Sequence, residues 1–210
     1  MVTMKDRIKA HHEAGHAVVA RTVGIAVTYV TTLSTGSDNE GGAQTHSAAW
    51  RARDADLPAR LVAIGKDIKV SMAGPQAEHR YRPIKHTKWS FLAENAEPYW
   101  WAGDFRGARN SACQVVLLKD RTIATTTFDA ITVNLNMPQI TEIDRLIDQF
   151  WKETEMLVHQ YWPAIERTAK ALLSGRPLVQ DELDALIANR AVWPTLGVRE
   201  PVGSARPVIR

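Results

Sequence analysis

The run His12-Glu13-Ala14-Gly15-His16 constrains this chain more than any other stretch, because the pattern has chemical meaning only on a helix. Residues four apart on an α-helix lie on the same face, so imidazoles at 12 and 16 can reach one ion. The neighbouring residues supply such a helix. Thr3 followed by Asp6 fits a capping box, and Ile8, Ala10, His12, Gly15, His16 and Val19 share one broad face, so a helix is expected over 3–22. Gly24 is a natural stop. Ala10, Ala14, Ala17 and Val18 are small enough to let this helix pack close beside a site. His11 faces elsewhere and reads as a bystander or a support for a ligand rather than a ligand itself.

The chemistry that suits this pattern is zinc chemistry. Zinc accepts imidazole nitrogens at roughly 2.0–2.1 Å and, when catalytic, keeps a fourth position open for water. The ion lowers the pKa of that water, and Glu13 follows the first ligand by one residue, where its carboxylate can take the proton as general base. Cys113 is the only cysteine, so neither an intramolecular disulfide nor a thiolate cluster can form and any metal site must use histidine and carboxylate. Cys113 itself reads as a small packed residue. Two histidines do not complete the site. Glu78, His46 and Asp104 are all candidates for the third ligand, and periodicity does not choose among them. Taken alone, Asp104 after Gly103 looks first like a helix N-cap.

Along the rest of the chain, strand-like stretches at 25–33 and 41–50 flank turn residues at 34–39, which suggests a hairpin. Leu61, Ile64, Ile68 and Met72 place a second helix over 57–81. The segment 82–103 is irregular and carries Trp89, Phe91, Tyr99, Trp100 and Trp101, which read as a satellite core or an oligomer contact before a pocket wall. A third helix is expected over 104–119 and an extended stretch over 122–136. Ile140, Ile143, Ile147, Phe150, Trp151, Leu157, Tyr161 and Ile165 form an apolar helical stripe that Pro163 must kink or restart. A last helix is expected over 180–189. One domain over 1–193 and a flexible tail over 194–210 follow.

Bulk properties narrow the classes. The formal charge of +3 is scattered rather than gathered into a basic stripe, which argues against nucleic-acid binding. No run of about eighteen apolar residues exists to span a membrane, and the first residues lack a signal-peptide pattern, so a cytoplasmic address is expected.

Three segments, Ala10 to Ala20 (AHHEAGHAVVA), Met72 to His79 (MAGPQAEH) and Gly103 to Ala108 (GDFRGA), together resemble the zinc-peptidase domain of the FtsH family of ATP-dependent metalloproteases. The stretch 142–173 and Pro177-Leu178 through Glu182-Leu183 also fit, so the resemblance covers most of the chain from residue 4 to about 190. It implies that Asp104 is the third zinc ligand and that Glu78 supports the site from behind it or shapes the structure. It also implies that Gly41-Gly42 belongs to an edge strand able to bind an extended substrate. A plain hairpin turn explains those glycines equally well.

There are departures. The chain has no P-loop and hence no nucleotide site, and no membrane anchor. The aromatic stretch 82–103 and the stretch 122–136 replace family segments. The expected fold is mainly α with a small β-hairpin or sheet (α+β), a zincin-type helical domain. The expected function is zinc-dependent metalloendopeptidase action on extended or unfolded polypeptides, with one zinc per chain. The alternative is a catalytically silent zinc-binding adaptor or oligomerisation domain. The resemblance leaves room for a homo-oligomer and for a separate ATPase partner.

Overall fold

The computed structural model describes residues 2–33, 42–82, 100–120 and 135–189. The turn at 34–39, Gly41, the aromatic residues Trp89, Phe91 and Tyr99, most of the stretch expected to be extended at 122–136, and the tail from 194 lie outside those residues. The described chain is mainly helical with one small antiparallel sheet.

Helix α1 spans Met4–Thr22 and starts as its sequence dictates. The Thr3 backbone N–H donates to Asp6 Oδ2 at 2.8 Å and the Asp6 N–H donates to Thr3 Oγ1 at 3.2 Å, so two otherwise orphaned donors are satisfied reciprocally. Gly24, at φ +81°, turns the chain out of the helix. Strand β1 (Val27–Thr31) then runs through the middle of the sheet, between β2 (Gly42–Thr45) and β3 (Leu178–Val179), with Val30 opposite both Ala43 and Leu178.

The expected second strand over 41–50 ends at Thr45. Residues Ala48–Arg51 form a short helix, α2. The reason is a long-range cap: the Asp67 carboxylate accepts from Ser47 Oγ at 2.6 Å and from the Ala48 and Ala49 N–H groups at 2.8 and 3.0 Å. Those bonds reward helical backbone at the very residues that would otherwise extend the strand.

Helix α3 (Leu57–Tyr81) has the bounds the periodicity gives, with Asp56 accepting from the Ala59 N–H as its N-cap. Helix α4 spans Trp100–Lys119, so it begins four residues before Asp104. Asp104 is therefore not an N-cap. It sits within the helix, which frees its carboxylate to point sideways. Helix α5 (Met137–Gln160) opens with an Asn136–Gln139 capping box, and α6 (Trp162–Leu172) restarts at Pro163, which occupies its first turn, where a missing N–H costs nothing. Helix α7 is Gln180–Ile187, two residues shorter than expected, and β3 just before it was not expected.

Two hydrophobic clusters hold these elements. One gathers Ala10, Ala14, Ala17, Val18, Ala73, Ala77, Ile165, Leu172, Leu178 and Leu183 around α1, the sheet, α6 and α7. The other gathers Ile64, Ile68, Met72, Leu117, Ile143 and Ile147 between α3, α4 and α5. Helix α3 contributes to both, and the site lies where they meet.

A candidate metal centre between three helices

The approach of α1 to α3 sets the geometry. A Cβ on Gly15 would come within 2.6 Å of the Ala73 carbonyl oxygen, so only glycine lets the two backbones lie this close. Gly74 makes the reciprocal concession, since a Cβ there would overlap His16 Nε2. The imidazole of His16 thus lies in a notch cut in α3. His12, Glu13 and His16 are all buried, at 5%, 7% and 8% exposure.

Each ring is held from behind. His16 Nδ1 lies 2.7 Å from the Val70 carbonyl, and because a carbonyl can only accept, Nδ1 carries a proton and, in the neutral ring, Nε2 holds the lone pair. His12 Nδ1 lies 3.3 Å from Glu78 Oε2, a carboxylate buried on α3. Both rings therefore turn Nε2 toward the same point. Asp104 comes to it from α4. His12 Nε2 is 3.1 Å from Asp104 Oδ2, His16 Nε2 is 3.3 Å from Asp104 Oδ1, and the two Nε2 atoms are 3.1 Å apart.

Those spacings can be tested against a metal. A tetrahedral ion with ligands at roughly 2.0–2.1 Å sets neighbouring ligand atoms about 3.3 Å apart, which the three observed distances approach. The donors are also unsatisfied without a cation. Asp104 Oδ2 is buried and faces His12 Nε2, and two imidazole lone pairs facing each other repel unless a proton or an ion lies between them. His12, His16 and Asp104 can thus hold a metal ion, and they offer one ligand atom each within 4.8 Å of one another.

The electrostatics agree. Burial opposes the charged form of His12, but hydrogen bonds to Asp104 and Glu78 and the charges of Asp104 and Glu13 outweigh it and raise its pKa to about 10. His16 is raised in the same way, with burial opposed by Asp104 and Glu13. Burial would raise Asp104, yet the two imidazoles hold it well below the usual carboxylate range. The metal-free cluster therefore stores protons where a cation would sit. Glu13, buried on α1 one residue past His12, contributes a charge that favours the protonated rings.

No family model and no curated protein matches this chain.

The other candidates for the third ligand fall elsewhere. His46 is exposed beside the sheet, its Nε2 3.0 Å from the Thr28 hydroxyl. Glu78 meets the far nitrogen of His12, not the side that faces His16 and Asp104, so it orients a ligand rather than adding one. His11 stacks on Tyr81 with ring centroids 3.8 Å apart, and burial lowers its pKa; it packs α1 against α3. Gly42 opens β2, paired with Thr31 at the end of the antiparallel β1–β2 pair; Gly41 is outside the described residues. Sequence reasoning missed the Val70 carbonyl and the Gly74 notch. The only trace of the notch was the small-residue pattern Ala73, Gly74 and Ala77, of which Ala73 and Ala77 face Gly15 and Gly74 faces His16.

Proposed function

We propose that the chain is a zincin-type, zinc-dependent metalloendopeptidase acting on extended or unfolded polypeptides, similar in its site to the FtsH peptidase domain. The observation that carries this reading is the convergence of His12 Nε2, His16 Nε2 and the Asp104 carboxylate at zinc-ligand spacing. An N2O donor set suits zinc among the common ions, and three protein ligands leave a fourth position open. A bound zinc ion would supply Lewis acidity toward a water molecule and a peptide carbonyl.

The chain's own residues do the remainder. The Val70 carbonyl and Glu78 hold the rings in the tautomers that aim Nε2 at the ion. Glu13 accepts the proton of the attacking water and returns it to the leaving nitrogen. Solvent reaches the cluster from the α4 side, where the Asp104 side chain is 20% exposed against 6% for His12. Strand β2, at the edge of the sheet among the described residues, offers backbone groups that an extended peptide can pair with.

A purely structural zinc would be expected to have four protein ligands, whereas three gather here among the described residues, and that favours hydrolysis over the silent-adaptor alternative. Among the described residues no helix is long and apolar enough to cross a membrane, which agrees with a reading that needs no lipid.

Glu13→Gln tests the reading. The variant should keep its zinc while casein cleavage falls by at least about a hundredfold, the scale of a lost general base. Cleavage at the parent rate would remove Glu13 from the mechanism. A zinc-loaded parent protein that cleaves nothing would favour the adaptor.

A further inference from the structure

A cleft lies away from the metal cluster, between the end of α1, helix α2 and the first turns of α3. It is an open cleft of about 320 Å³, lined among others by Gly24, Ile25, His46, Arg51, Val62, Ala63 and Lys66. Its charge is one-sided. Among the described residues, Arg51 and Lys66 both line it, no carboxylate does, and neither side chain has an ion-pair or hydrogen-bond partner. Asp67, next to Lys66, turns its carboxylate toward Ser47, Ala48 and Ala49 and is not part of the lining. Two unpaired cations beside a concave surface form an anion site, and the Arg fork matches a carboxylate in particular.

The remaining wall decides the kind of anion. Ile25, Ala63 and Val62 are apolar, and Val62 is 63% exposed although it belongs to a long helix with polar positions available. The cleft's volume is roughly ten times the ~30 Å³ that one water occupies, which gives room for a small organic body beside the anion. We propose that this cleft binds a small organic carboxylate, with Arg51 and Lys66 holding the anion and Ile25, Val62 and Ala63 covering its apolar body. The C-terminal residue of a peptide has this chemistry. The site does not depend on the metal cluster.

The test is a titration of the full chain by two-dimensional amide NMR with N-acetyl-leucine, N-acetyl-leucinamide and inorganic phosphate. The acid should shift the Gly24, Ile25 and Ala63 amides saturably, the neutral amide should not, and phosphate should bind more weakly than the acid. Arg51→Ala and Lys66→Ala should each weaken the acid by about tenfold, the effect of one charge-assisted hydrogen bond. Lys66→Arg, which keeps the charge, should retain it. Neither residue belongs to a hydrophobic cluster, so unchanged circular dichroism confirms that the variants fold. Equal binding of acid and amide, no saturable response, phosphate binding as tightly as the acid, or full binding by a variant carrying both Arg51→Ala and Lys66→Ala would each overturn the proposal.

Discussion

Where α1 meets α3 the contact residues are small, Gly15 against Ala73 and Ala77, whereas the cluster between α3, α4 and α5 rests mainly on large ones, Ile64, Ile68, Leu117, Ile143 and Ile147. Both regions exclude water, but they are built for different ends. The large side chains maximise apolar area and hold helices at ordinary separation. The small ones give up area so that two backbones can meet, and that closeness lets the Val70 carbonyl reach His16 and Glu78 reach His12. One region supplies stability and the other supplies geometry.

Exchanging volume on each side of this contrast should give different results. Leu117→Ala removes a fully buried side chain from the large-residue cluster and should cost about 2–5 kcal/mol in denaturant unfolding. The folded fraction should still bind zinc as the parent does. Loss of zinc in step with stability would show that the two regions are not separable.

Gly74→Ala places a methyl where His16 Nε2 now lies. Alanine favours a helix by roughly 0.5–1 kcal/mol over glycine, but overpacking costs about 1–3 kcal/mol, so the net effect is a modest loss. Zinc binding should suffer far more than stability does. A stabilised Gly74→Ala that keeps its zinc would show that the notch is not needed.

A smaller effect should appear with pH in the metal-free protein. His12 and His16 have folded pKa values raised above 6.5, so they stabilise the fold fully below that pH. This stability is lost as pH rises through the folded value, which for His12 is about 10. Asp104, depressed in the fold, contributes above 3.8 and loses its contribution as pH falls through its lower folded value. Thermal unfolding of the metal-free chain should therefore weaken between about pH 7 and 9, and zinc should abolish that slope by displacing the protons. An unchanged slope with zinc bound would mean that the ion does not sit among these groups.

The same contrast explains what could be read from the residues alone. Local signals were legible: the Thr3–Asp6 box, the paired histidines, the bounds of α3 and the restart at Pro163 all depend on neighbours within a turn or two. The clustering of His12 and His16 with Asp104 followed from resemblance, not from periodicity, and the N-cap reading of Asp104 failed because α4 begins four residues earlier, at Trp100. What stayed hidden is long-range. The bond from His16 to Val70 joins residues 54 apart, and the bonds from Asp67 that convert 48–51 into a helix join residues 18 to 20 apart. Strand β3 is two residues long, too short for any alternation to announce it.

The most direct measurement is the zinc content of the purified parent chain beside Asp104→Ala and Glu78→Ala after exhaustive dialysis. The account predicts one ion per parent chain, none retained by Asp104→Ala, and binding by Glu78→Ala that survives but is about 10–100-fold weaker, as for a lost orienting carboxylate. Full zinc in Asp104→Ala together with none in Glu78→Ala would contradict it.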